Sequence, residues 1–175
     1  HIHLLGLIHY QLGVISKQQQ DIEKSKKYAQ KSWKIFMETK DTISAVYSLR
    51  LIGILNVSSK LYDAAKENFD HSFRLLSFTN KQSEKTFLAQ NSVLMSTSYL
   101  FRKMDSLEKS LEYAKKSLTL HKLNNKEIPS QFYSNVVYSY YLMDKADSAK
   151  YYSNLLINQA KEEKNTFNII NGYKI

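Results

Sequence analysis

Cysteine is absent from this 175-residue chain. That excludes disulfides and thiolate metal sites but leaves an oxidising compartment open. Proline occurs once, at Pro129, and glycine only four times, too seldom for strands joined by tight turns. Long apolar runs are missing as well. The longest uncharged stretches are about sixteen residues and include Ser, Asn and Gln, short of the roughly twenty apolar residues of a spanning helix, so no membrane insertion is expected. The opening "HIHLLGLI" has neither an initiator methionine nor a charged n-region and reads as the edge of an excised fragment rather than a signal peptide. No H-E-x-x-H, P-loop or G-x-S-x-G is present, and the glycines do not cluster to cradle a phosphate. Enzymatic activity and a cofactor are therefore not expected. His1, His3 and His9 do not form a metal site on one helix face, because positions i and i+2 point apart. His71 and His121 fall in charged segments and read as solvated.

What is present is a globular composition, 43% hydrophobic and 23% charged, with a formal net charge of +9. The charge invites a nucleic-acid reading. Its distribution argues otherwise: Lys alternates with Asp and Glu in "DIEKSKKYAQK" and "AAKENFDHSFR", and aromatic residues do not punctuate a basic stripe. Nucleic acid is not the expected partner. The bulky residues of "SWKIF" and "HSFRL" have helical spacing and read as core.

The informative feature is repetition. "DIEKSKKYAQKSWKI" at 21–35 and "SLEKSLEYAKKSLTL" at 106–120 share seven of fifteen positions, and "LYDAAKENFDHSFRL" at 61–75 and "KADSAKYYSNLLINQ" at 145–159 complete four copies. The small residue of each copy falls at Ser25, Ala65, Ser110 and Ala149, spaced 40, 45 and 39 residues apart. Between the copies the chain changes character. Residues 1–16, 42–59, 86–101 and 128–143 contain a single charged residue, Arg50. A helix flanked by neighbours on both sides cannot hide Lys or Glu cheaply, whereas an outward face holds them in water. Inner, charge-poor helices (A) therefore alternate with outer, charged ones (B).

Within that alternation, His9, Leu12 with Gly13, Ser25 and Ser32 mark the first unit, and Leu49, Ile52 with Gly53, Ala65 and Ser72 the second. The third fits if two residues are added to its turn, giving Met95 with Ser96, Tyr99, Ser110 and Ser117. The fourth has Tyr133, Val136, Tyr140 and Ala149, with Val137 and Leu156 where small residues are usual. This pattern resembles the tetratricopeptide repeat family over nearly the whole chain. The resemblance implies an all-α fold: a right-handed α-α superhelix of about four helix pairs plus a terminal helix. It would be a single array over 1–175, with repeats at about 6–41, 42–85, 86–127 and 128–163 and a cap or truncated fifth repeat at 164–175. The proline that often closes helix B is missing from every copy, which predicts B helices that run on.

The resemblance also implies a concave groove lined by the A helices. Its positions are Tyr10 and Val14; Tyr47, Arg50 and Ile54; Gln90, Val93 and Thr97; and Gln131, Ser134, Tyr138 and Tyr141. The Lys, Asn and Arg pattern by which some members clamp an acidic chain terminus is absent. Tyrosines are frequent at binding hot spots, and Arg50, a lone cation, is expected to meet an acidic group of a ligand. The implied partner is a protein or peptide, bound by a scaffold or sensor segment of a larger bacterial-type signalling or transcriptional regulator. A receptor for a short signalling peptide is the alternative, and self-association is open because array ends expose unpaired helix faces.

Overall fold

The structure, a computed structural model, describes residues 1–173. Among these residues every regular element is an α-helix: α1 (Ile2–Gln18), α2 (Ile22–Glu38), α3 (Thr42–Ser58), α4 (Tyr62–Ser77), α5 (Glu84–Lys103), α6 (Leu107–Leu123), α7 (Ser130–Leu142), α8 (Ala146–Glu162) and α9 (Thr166–Tyr173). The first eight helices form four pairs in which the odd helix is the A helix, its central stretch poor in charge, and α9 follows the last pair. None of the described helices is long and apolar enough to cross a membrane.

With so little proline and glycine, the helices stop by another device. After α1, α3, α5 and α7 the turn is three residues long, and its middle residue, Gln20, Lys60, Asp105 or Asp144, takes a left-handed conformation with φ between 54° and 63°. The following amide then donates back to the helix: Asp21 N to Ser16 O, Leu61 N to Asn56 O, Ser106 N to Phe101 O and Lys145 N to Tyr140 O. This is the Schellman arrangement, which satisfies carbonyls that a helix end leaves orphaned. Lys40, Asn125 and Lys164 close α2, α6 and α8 in the same way.

The expectation that the B helices run on is corrected by their lengths, 16 or 17 residues each. The extra sequence lies instead in two connections between pairs, 78–83 and 124–129, and in the 20-residue α5. Pro129 is the N-cap of α7 with an extended ψ of 146°, where its missing N–H removes nothing the helix needs.

The A and B helices differ in how much of their circumference is covered. α2 and α4 each bury one stripe at helical spacing, Ser25, Ala29, Ser32 and Phe36 in the first and Ala65, Phe69, Ser72 and Leu76 in the second. α3, by contrast, buries ten residues on several faces. Small residues allow this. The nearest atom to a Cβ placed on Gly53 would be Phe69 Cε1, at 2.5 Å, so the ring occupies the space a side chain would need. Ser25 donates its hydroxyl to Gly13 O across the first pair at 2.7 Å. In the fourth pair the larger Val137 and Leu156 are both buried and cluster with Ile157, with Tyr133 and Tyr152 packed against them.

The chain forms two compact units that divide within α5, between Ser96 and Thr97. In the first, α2 packs on α1 and α3, and α4 on α3. In the second, α7 packs on α6 and α8, and α9 lies on α8. Gly172 of α9 faces Leu156 and Ile157, and its carbonyl accepts from the Ser153 hydroxyl.

Candidate functional site

In the first unit the structure brings Tyr10, Tyr47 and Arg50 together. Tyr10 and Val14 of α1 pack half-buried against the core cluster of Ala29, Leu51, Ile52 and Leu55. On α3, Tyr47, Arg50 and Ile54 are half-buried too. Arg50 is held at one corner only. Its Nε donates to Ser92 O at 3.0 Å and to Ser96 Oγ at 2.8 Å, both on α5. Among the described residues the terminal amino groups find no partner and reach solvent, and no carboxylate lies within ion-pair distance.

The electrostatics follow from that placement. Burial pushes the Arg50 guanidinium below its ordinary value, and the Tyr10 and Tyr47 phenols oppose the shift. Burial likewise pushes both phenols up, with Arg50 pulling them back. At neutral pH the cluster is thus one cation between two neutral phenols, short of an anion.

For the third repeat the predicted positions need correction. Gln90 is half-buried, but Val93 and Thr97 are buried at 0% and 3% exposure and cannot line an open surface. The reason is register. The close contact of this pair is made by Ser98, whose hydroxyl donates to Ser110 O, and the separation of twelve residues is that of Gly13 and Ser25. The turn to α6 is therefore an ordinary three-residue turn and carries no insertion. Moving the register by two residues rotates the helix by about 200°. Ser92, Met95 and Tyr99, all half-buried, then occupy the positions assigned to Gln90, Val93 and Thr97.

In the second unit Gln131 is exposed, Ser134 is half-buried, and Tyr138 and Tyr141 are 39% and 54% exposed. Tyr141 lines an open pocket of about 420 Å³ with Asp144, Lys150, Asn154 and Tyr173. Sequence reasoning missed Arg102. Its guanidinium carbon lies over the rings of Tyr99 and Tyr138 at 5.6 and 5.3 Å, and Nη1 donates to Asn135 Oδ1 at 3.2 Å. The residue stands one position beyond the charge-poor stretch that ends at Phe101. Extending that stretch to the helix end would have found it.

The histidines are placed differently from expectation. His121 is buried at 3% exposure, with its ring edge-on to Phe132 and Nδ1 at 3.0 Å from Ser117 O. It is a core residue of α6 rather than a solvated one. His71 is half-buried against Trp33, while Phe36 is buried as expected. His3 Nε2 lies 2.7 Å from Asp41 Oδ2, and His9 stacks on Tyr28. No group of three or more His, Cys, Asp or Glu placed to hold a metal occurs among the described residues.

Comparison with family models and with curated protein sequences finds no match. Solved structures do match. Aspartyl phosphate phosphatase F from Bacillus subtilis superposes with a TM-score of 0.85 at 14% identity, covering 99% of this chain and 44% of that one. The apo form of RapI gives 0.76 at 15% identity, over 91% of this chain and 57% of that one. BtubC from P. vanneervenii gives 0.72 at 15% identity, over 97% and 73%. The chain thus spans about half the length of the first two. Likeness at this identity establishes the fold, a tetratricopeptide-type assembly of helix pairs, as the repeat pattern implied.

Proposed function

We propose that the chain is a protein- or peptide-binding module, itself without catalytic activity, within a larger regulator of signalling or transcription. The observation that carries this reading is the Arg50 cluster. A cation half-withdrawn from water and bonded only through Nε keeps its forked N–H edge free, and two tyrosines beside it offer apolar area with a polar tip. Arginine and tyrosine are the residue types that dominate binding hot spots. The similarity to an aspartyl phosphate phosphatase suits a repeat segment that serves an activity located elsewhere in a longer polypeptide. A receptor for a short signalling peptide is the narrower form of the same reading, favoured by the small size of the cluster.

The test is selection from a displayed peptide library against the whole chain, followed by affinity measurements on the selected peptides. We expect peptides bearing Asp or Glu, and a loss of about tenfold, or roughly 1.4 kcal/mol, in Arg50→Met and Tyr47→Ala variants whose helical circular dichroism is retained. No selected peptide, or binding indifferent to both substitutions, would overturn the reading.

A further inference from the structure

The second unit carries a cation that the binding surface read from the repeat pattern does not include. We propose that Arg102, with Tyr99, Asn135 and Tyr138, forms a separate subsite for a carboxylate group. The proposal rests on the peptide-binding reading only for the source of that carboxylate.

Three features build the site. Arg102 is half-buried, and it forms no ion pair among the described residues. Withdrawing a guanidinium from water without a counter-charge is unfavourable, and a carboxylate relieves the imbalance. Two ring faces and one amide then fix its orientation. Ring faces stabilise a cation but accept few of its protons, so among the described residues only one of the five N–H donors of Arg102 has a partner, the Asn135 carbonyl. The others reach solvent, since none is a buried donor without a partner. Third, burial pushes the guanidinium below its ordinary value, and Tyr99 and Tyr138 beside it oppose that push.

The class of ligand follows from planarity: a guanidinium fork and a planar carboxylate match with two parallel bonds. The carboxylate can come from an Asp or Glu side chain or from a peptide's C-terminus.

The chain contains three arginines, Arg50, Arg74 and Arg102, so the side-chain Nε–H signals form a three-peak nuclear magnetic resonance spectrum. Each would be assigned by Arg→Lys substitution. Three probes would be titrated into the intact chain: a C-amidated acetyl-peptide containing glutamate, an uncharged acetyl-peptide with a free C-terminus, and inorganic phosphate. We expect the Arg102 signal to shift saturably with at least one of the peptides, the responsive one identifying the carboxylate's source, and to respond at least tenfold more weakly to phosphate. Arg102→Met should weaken the responsive peptide at least tenfold, while Arg102→Lys, which keeps the charge but not the fork, should remain several-fold weak. An Arg102 signal unmoved by both peptides, or moved equally by phosphate, would overturn the proposal. Library-selected peptides that depend on Arg50 and not on Arg102 would overturn it too, while leaving the peptide-binding reading intact.

Discussion

Two helices of the first unit, α2 and α3, start by a different means from their counterparts α6 and α7 in the second. In the first, α2 and α3 begin on Asp21 and Asp41, whose carboxylates accept from Lys24 N and Ser44 N three residues on. In the second, their counterparts α6 and α7 have no cap from their own N-cap side chain, as is also true of α4 and α8, while α9 keeps one, Asn165 Oδ1 accepting from Asn168 N. The start of α7 is served from a distance: Ser130 donates its amide and hydroxyl to Glu163, just past the end of α8. The contacts between A and B helices differ as well. Glycines let the helices of the first unit approach, at Gly13 and Gly53. The second uses a buried hydroxyl chain, Ser98 to Ser110 to Ser139, at 3.2 and 3.1 Å, and a valine at Val137. One repeat pattern thus accommodates two solutions, provided the opposed B residue stays small, as Ser25, Ala65, Ser110 and Ala149 all do.

That contrast can be broken in order of effect. Ala65 is fully buried, so Ala65→Leu should cost about 3 kcal/mol by overpacking, read from a denaturant melt. An unchanged midpoint would show that small B residues are not required. Next, Gly53→Ala should destabilise by about 1 kcal/mol, because the buried Phe69 ring must move, and that outweighs the gain in helix propensity. Gly13→Ala, whose closest contact is the methyl end of Leu51 at 3.2 Å, should be within about 0.5 kcal/mol of neutral. Equal effects at the two sites would remove glycine contact as the distinguishing feature.

At the caps the expected effect is comparable to that of Gly53→Ala. Asp41→Ala should cost about 1 kcal/mol at neutral pH. Burial would raise the Asp41 carboxyl, but hydrogen bonds from His3 and Ser44 and the charge of His3 hold it below its usual value. A depressed carboxyl contributes stability above its unfolded pKa and loses it as pH falls through the folded one. The penalty of Asp41→Ala should therefore shrink below about pH 4. A penalty constant from pH 7 to pH 3 would contradict the assignment.

Much of the fold was legible because the signal was redundant. Charge depletion, the recurring small residue and the near-constant spacing all marked the same helices. The third repeat's register was not legible. Ser96 and Ser98 are both small, and only the hydrogen bond of Ser98 to Ser110 distinguishes them. The first unit's cluster was readable from Arg50 because a lone charge stands out in an uncharged stretch. Arg102 did not, since it adjoins Lys103 at a helix end, where basic residues are ordinary. His121 was misplaced because a charged neighbourhood in sequence does not reveal which face of α6 a residue occupies.

All four glycines lie inside helices, and among the described residues none has a positive φ, whereas ordinary side chains make the left-handed turns. The usual division of labour is inverted, and the bends hold unspent strain. Exchanging Lys60 or Gln20 for glycine or asparagine would release part of it, hardening the scaffold against heat. Thermal endurance can therefore be raised at the turns without altering the helix contacts.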